Sequence, residues 1–149
     1  MAEAWFYHLV GKRLEDVLPG LIERSLERGW RVVVQAGSEE RRDALDAHLW
    51  TYAEESFLPH GTRRDGDPSR QPVYLTAEGD NPNGAAVRFL VDRAEPPDLA
   101  VYERAVYIFD GGDPEALQDA RRRWRDAKAA GLDVTYWQQD DRGRWVKKA

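Results

Sequence analysis

The segment RVVVQA, residues 31–36, is the stretch that decides the class of fold. Its three consecutive valines leave no polar side to a strand, so other parts of the chain must cover both faces of it. Strands of this kind are typical of parallel sheets that carry helices on their two faces. The segment therefore predicts an α/β sandwich.

The sequence on either side of this strand has the features of helices. Upstream, apolar residues recur at helical spacing over residues 14–28, and Gly29 is suited to end the helix. Pro19 interrupts that pattern and is expected to kink or reset the first turn, because it lacks a backbone N–H. Downstream, Ser38 is placed to cap a second helix.

Further strands and one more helix follow the same alternation. The additional strands are predicted at WFYHL (5–9), PVYLT (72–76), AVRFLV (86–91), RAVYIFD (104–110) and LDVTYWQQ (132–139). A helix is predicted from Asp113 to about Ala130, with Gly131 as its stop. The pattern predicts a single α/β domain over residues 1–149, a three-layer sandwich with a largely parallel central sheet. The last segment, RGRWVKKA, is interpreted as a basic tail.

Composition restricts the possible functions. The 149 residues include no cysteine, so disulfides and cysteine-based zinc sites are excluded, and a reducing cytoplasm is compatible with the chain. The N-terminus lacks the pattern of a signal peptide, and no apolar run approaches the ~20 residues of a membrane span. The net charge of −5 argues against direct binding of nucleic acid over the whole surface.

The sheet predicted here is Rossmann-like but lacks a nucleotide-binding fingerprint. The first strand is followed by LVGKRLED, which has one glycine where the fingerprint needs three, and no GxxxxGK[ST] motif occurs. His8, His48 and His60 are the three histidines, and none of them forms an i, i+4 pair with another. We therefore expect no nucleotide, no metal and no other cofactor.

The segment ESFLPHG, residues 55–61, contains groups that could serve a hydrolase. Ser56 and His60 could act as nucleophile and base, but Ser56 lacks the GxSxG elbow that exposes such a hydroxyl. Ordinary turn and capping roles are favoured for these groups, as they are for Asp65 and Asp67. An α/β hydrolase or a nucleotide-dependent enzyme that uses the Ser56/His60 loop is kept as the alternative function.

The last predicted helix carries a distinctive surface in DARRRWRDAKAAG, residues 119–131. One face is a narrow alanine stripe, and a cationic stripe lies beside it, with Trp124 on the border between them. The cationic stripe consists of Arg121, Arg125 and Lys128. A tryptophan beside cations suits an acidic, partly apolar ligand, since arginine bonds both oxygens of a carboxylate. A solvated charged face with a core tryptophan remains the other interpretation.

Several segments together resemble a known family. FYHL, LDAHLW, ESFLPHG, an FD before a helix and ARRRWRDAKAAG occur in the order found in the chi subunit of bacterial DNA polymerase III. The resemblance covers about residues 5–149, and LWxxxxESFLPH is its most specific part. It implies a non-enzymatic accessory subunit of the clamp-loader assembly, at the replisome in the cytoplasm. It also implies a nucleotide-binding type of sheet without the nucleotide site.

The resemblance also implies two partner surfaces. The family binds the acidic C-terminal tail of single-stranded DNA-binding protein (SSB) through positions that correspond to Arg121, Trp124 and Arg125. Lys128 is added from helical geometry. The psi subunit, or a helicase-like partner in some bacteria, binds at positions that correspond to Trp50 and Phe57. DNA would then be reached only indirectly, through SSB.

Overall fold

A computed structural model describes residues 2–51, 60–63 and 65–149, except for the side chains of residues 50 and 51. It contains seven strands, three α-helices and one short 3-10 helix at Pro68–Arg70. The strands are β1 Glu3–Leu9, β2 Val32–Gln35, β3 Val73–Thr76, β4 Val87–Leu90, β5 Arg104–Asp110, β6 Asp133–Gln139 and β7 Trp145–Lys147. The helices are α1 Leu14–Glu27, α2 Glu39–Thr51 and α3 Pro114–Ala129.

These strands form one sheet in the order β3-β2-β4-β5-β1-β6-β7. Strands β1 to β6 all run parallel to one another, and β7 runs antiparallel to β6. The six strands predicted from the sequence, and the largely parallel sheet, are confirmed.

The C-terminal segment interpreted as a basic tail contains the seventh strand. One carboxylate oxygen of Asp140 accepts hydrogen bonds from the backbone N–H groups of Arg142 and Arg144, each at 2.9 Å. Gly143 takes a φ of 76°, which closes the turn and sends the chain back along β6. The turn residues DDRG at 140–143, followed by Trp145 and Val146, were the signal for this hairpin.

The sheet is covered on both faces, as the three valines of β2 require. Helices α1 and α2 pack on one face, where Val32 and Val34 belong to the same apolar cluster as Leu18 and Leu45. Helix α3 packs on the other face, against side chains of β1 and β5. Val33 points away from α1 and α2 and is fully buried beneath the chain near Tyr102. The three-layer architecture is therefore confirmed.

Pro19 lies inside α1 without ending it. In a regular helix the N–H of residue 19 would donate to the carbonyl oxygen of Glu15, and proline cannot make that bond. The Glu15 carbonyl instead accepts a hydrogen bond from His48 Nε2 on α2, at 2.8 Å. The helix tolerates the proline because a side chain of the neighbouring helix replaces the missing donor.

We expect His48→Ala to lower the free energy of unfolding by about 1 kcal/mol, because the Glu15 carbonyl loses a partner in a partly buried place. In a Pro19→Ala background the same substitution should cost less, since an alanine at that position restores the backbone N–H. Urea unfolding of the four proteins in this double-mutant cycle measures the difference. An equal cost of His48→Ala in both backgrounds would contradict the compensation.

Candidate functional site

Helix α3 is anchored by its first turn and its alanine stripe. Asp113 caps the helix by accepting from the backbone N–H of Glu115 at 3.0 Å and of Ala116 at 3.4 Å. The predicted stripe is confirmed, since three alanines are buried against the sheet: Ala116, Ala120 and Ala127. Small side chains bring the helix close to the sheet and leave its charged side facing solvent.

Trp124 lies at the junction between α3 and the sheet and is half-buried. Its ring makes edge contacts with Phe6, at 5.3 Å between ring centroids, and with Tyr136, at 5.8 Å. Lys128 Nζ lies 5.2 Å from the centre of the indole ring. Trp124 therefore acts partly as a core residue, while a cation from the next turn lies over the ring.

The arginines of α3 differ in whether an acidic side chain neutralises them. Arg122 bonds Asp119 at 2.7 Å, and Arg123, which is half-buried, lies 3.8 Å from the same carboxylate. Arg121 and Arg125 are exposed, and neither forms an ion pair with the described part of the chain. Two guanidinium groups are thus available to an acidic ligand without the loss of an internal ion pair.

Arg121 and Arg125 also line a cleft of about 590 Å³ on the outer side of α3. Besides these two arginines, the cleft is lined by Arg93, Glu115, Gln118, Asp119 and Arg122. Four guanidinium groups there face two carboxylates, so the cleft is positive in a chain whose net charge is −5. Trp124 is not among its lining residues.

Arg93 is a residue of this cleft that sequence reasoning missed. It lies in the turn after β4, and its guanidinium bonds Glu115 of α3 at 2.9 Å. Arg93 and Asp92 both have a positive φ, 58° and 54°, which is uncommon for residues other than glycine. The pair of Asp92 with Arg41, at 3.1 Å, helps to hold this turn. No local pattern relates residue 93 to α3, so the fold alone brings them together.

The charge of Arg121 affects the pKa of His8, which lies at the end of β1. Its Nδ1 lies 2.6 Å from the Tyr136 hydroxyl. Burial is the main cause that lowers the pKa of His8 below its ordinary value, the carboxylate of Asp110 opposes this, and the Arg121 charge lowers the pKa further. The imidazole is therefore a natural reporter of charge beside Arg121.

Arg121→Ala is expected to raise the pKa of His8, because the substitution removes a nearby positive charge. NMR titration of the imidazole Cε1 proton in wild type and variant measures the change. Arg125→Ala is the matched control and should leave the His8 pKa where it is. An unchanged or lowered pKa in Arg121→Ala would show that the guanidinium does not lie near this ring.

The other polar candidates have structural partners. His60 is buried, with Nε2 3.1 Å from the backbone oxygen of Asp46 on α2 and 3.2 Å from a carboxylate oxygen of the same residue. Asp65 accepts hydrogen bonds from the backbone N–H and the hydroxyl of Thr62. Asp67 caps the 3-10 helix at Pro68–Arg70. The favoured turn and capping roles are confirmed for Asp65 and Asp67, and Ser56 lies outside the described residues.

The structure does not test the second predicted surface. Trp50 belongs to the last turn of α2, but its side chain is not described, and Phe57 lies outside the described residues. Both remain predictions. Within residues 2–51, 60–63 and 65–149, no group of three or more histidine or acidic side chains is arranged to hold a metal ion.

The crevice at the carboxyl ends of β1 and β5 is the place where a nucleotide-binding sheet holds phosphates. Here it has a volume of about 420 Å³, and its charged lining consists of three cations and three carboxylates: Lys12, Arg13, Arg93, Asp92, Asp110 and Asp113. The three carboxylates cancel the charge of the three cations, so no net positive charge is left for a phosphate. The loop after β1 has Gly11 as its single glycine. The composition of the crevice argues against nucleotide binding there.

The fold and the candidate site define an α/β protein that carries a cationic helix surface on α3. The chain belongs to the family of the DNA polymerase III chi subunit, HolC, whose model matches residues 1–135. The probable DNA polymerase III subunit chi of Rickettsia prowazekii (strain Madrid E) is 29% identical over 120 residues, which cover 74% of this chain and 71% of that protein. The protein is therefore a subunit of DNA polymerase III and belongs to DNA replication.

The matched range includes all of α3, so the cationic surface belongs to the part of the chain that defines the family. The last residues of β6 and all of β7 lie beyond it. No helix in the described part of the chain is long and apolar enough to cross a membrane.

Proposed function

We propose that the protein is a non-enzymatic accessory subunit that links the clamp loader of DNA polymerase III, through psi, to the C-terminal tail of SSB. Its place is the replisome in the cytoplasm, and it reaches DNA only through SSB. The observation that carries this proposal is the unpaired state of Arg121 and Arg125, among the described residues, beside the half-buried Trp124. Family membership supports the same assignment.

In this proposal the terminal phenylalanine of the tail packs against Trp124, and Arg121 holds its α-carboxylate. Arg125 and Lys128 attract the aspartates that precede it. The exposure of both arginines supports this arrangement, since no ion pair within the described ranges has to break when the peptide binds. The edge contacts of Trp124 with Phe6 and Tyr136 fix the orientation of the indole ring in advance, which lowers the cost of binding.

The cleft beside Arg121 suggests the path of the upstream part of the tail. Arg93 and Arg122 extend the positive surface away from Trp124, although each is already paired with a carboxylate in the free protein. Such rim charges contribute mainly to the association rate and to its salt dependence. Ordering a flexible tail costs about 2–5 kcal/mol, so the affinity should be modest and should fall as salt rises.

The psi subunit, or a helicase-like partner, is proposed to bind near the end of α2 through Trp50 and Phe57. Large aromatic side chains are frequent anchors of protein interfaces. Helices α2 and α3 lie on opposite faces of the sheet, so the two partners need not compete for the same surface. An adaptor that joins two assemblies requires this separation.

Titration of the protein with a fluorescent SSB tail peptide tests the proposal directly. We expect saturable binding that weakens with salt and is lost when the terminal phenylalanine is removed. A pull-down from cell extract extends the test, because wild-type protein should recover both SSB and clamp-loader subunits. Equal binding of the full and the shortened peptide would contradict the proposed pocket, and a pull-down without SSB would contradict the function.

A further inference from the structure

A third cavity lies on the face of the sheet opposite α3. It has a volume of about 380 Å³ and is bounded by the C-terminal half of α1 and by side chains of β1, β4 and β5. Four apolar side chains that are otherwise buried form part of its lining: Leu21, Val87, Phe89 and Val106. Covering such a floor with an apolar group is favourable, because the floor offers water almost no hydrogen bonds.

The rim of this cavity is rich in arginine. Arg24, Arg28 and Arg104 line it, with Glu27 as the carboxylate among the lining residues. Arg104 bonds Glu3 at 3.0 Å, whereas Arg24 forms no ion pair with any described residue. The rim therefore has three guanidinium groups and two carboxylates, those of Glu27 and Glu3. The excess of positive charge lies above the apolar floor.

Aromatic rings stack against two of these cations, and one of the rings, Trp5, lines the cavity. The Arg104 guanidinium lies 3.5 Å from the centre of the Trp5 ring, and the Arg28 guanidinium lies 4.2 Å from that of Trp30. These stacking contacts hold both arginines along the rim. The rim is therefore partly ordered before any ligand binds.

Tyr7 adds a hydrogen-bond donor to the same cavity. Its ring is mostly buried, yet its hydroxyl forms no hydrogen bond with another residue in the described ranges. Burial raises the pKa of this phenol, and the charges of Arg104 and Arg24 partly oppose the rise, so both cations act on the hydroxyl. The phenol stays protonated near neutral pH and can donate to an anion.

We propose that this cavity binds an aromatic carboxylate, with the ring over the apolar floor beside Trp5 and the carboxylate between Arg24, Arg28 and the Tyr7 hydroxyl. Its volume is at the small end of ligand pockets, which suits a single ring on a short linker. The planar guanidinium fork matches a carboxylate, and aromatic side chains favour an aromatic partner. None of the residues proposed for the SSB tail takes part.

The aromatic carboxylate can belong to a free aromatic acid or to the carboxyl-terminal residue of a peptide. We would titrate the full chain with 3-phenylpropanoate, with N-acetylphenylalanine and with N-acetylphenylalanine amide, which has no charge. The readout is the indole N–H resonance of Trp5, assigned with Trp5→Phe. Saturable shifts are expected with at least one acid, at concentrations on the order of millimolar, and not with the amide.

Arg24→Gln should weaken the binding of the acid about tenfold, as expected for loss of a charged hydrogen bond. Arg142→Gln, in the turn before β7, is the matched control and should bind as wild type does. Arg24 is exposed, so the variant should keep the fold, which its thermal midpoint verifies. Tyr7→Phe should weaken binding severalfold through the lost hydroxyl.

The outcomes separate the alternatives. Binding of N-acetylphenylalanine alone identifies a peptide terminus as the ligand, and binding of 3-phenylpropanoate alone identifies a free acid. No saturable shift of Trp5, equal shifts with the amide, or full affinity in Arg24→Gln would overturn the proposal. Binding that persists in Arg24→Gln and disappears in Arg121→Ala would belong to the α3 surface, so it too would overturn the proposal.

Discussion

Replacement of Arg88 by methionine is expected to lower the free energy of unfolding by about 3–5 kcal/mol. Arg88 points from β4 into the interior and is 0% exposed, which is rare for a charged side chain. No carboxylate pairs with it among the described residues. Its charge is stabilised instead by neutral oxygen acceptors that surround the guanidinium.

The acceptors come from three separate parts of the chain. Nε and Nη2 donate to the side-chain oxygen of Gln35 at 3.1 and 2.7 Å. Nη1 donates to the backbone oxygen of Asp80 at 2.8 Å and to the Tyr102 hydroxyl at 3.0 Å, and Nη2 donates to the backbone oxygen of Glu78 at 2.6 Å. Methionine fills part of the volume but leaves these buried oxygens without donors, which accounts for the large cost.

Urea unfolding measures this effect, with Arg142→Met as a control at an exposed arginine. The control should change stability by less than about 0.5 kcal/mol. Arg88→Lys should also be strongly destabilising, because a single ammonium cannot reproduce the planar fork that reaches all four acceptors. A loss below about 1 kcal/mol in Arg88→Met would mean that the network contributes little to the folded state.

Arg121→Ala is expected to weaken binding of the SSB tail about 10- to 100-fold. A charged hydrogen bond contributes about 1.5–3 kcal/mol, and the α-carboxylate of the peptide would lose its guanidinium partner. Arg121 is exposed and forms no ion pair in the described part of the chain, so its removal should not disturb the fold. The loss should therefore appear in binding and not in stability.

Fluorescence anisotropy with a labelled tail peptide measures the affinity at several salt concentrations. Arg125→Ala should have a smaller effect that fades in high salt, because a rim charge acts mostly at long range. Arg142→Ala is the matched control and should bind as wild type does. Equal affinities of wild type and Arg121→Ala would show that this arginine does not hold the peptide.

Much of the architecture follows from local pattern. The three valines of β2 predicted a strand covered on both faces, and the structure has α1 and α2 on one face and α3 on the other. The alanine spacing of α3 predicted the face that packs on the sheet, and Asp113 and Gly131 marked the ends of that helix. These features depend on residues within one or two turns of each other, so they can be recognised in the sequence.

The candidate site was predictable only where it lies on one element. The positions of Arg121, Trp124, Arg125 and Lys128 follow from the helical repeat, and the structure places them on α3 as expected. Their role in binding the SSB tail remains a prediction. Arg93 could not be found in this way, because it comes from a turn with a positive φ on a different part of the chain.

The sequence pattern was sufficient for the class of fold, the helix that carries the cations and the family resemblance. The tertiary structure decided which arginines are neutralised, which residues share a cleft, and how the helix accommodates Pro19 through His48. It also placed Arg88 in the interior, against the expectation for a charged residue in a strand. Periodicity records only neighbours along the chain, whereas charge, burial and hydrogen bonding depend on groups that the folded sheet brings together from distant positions.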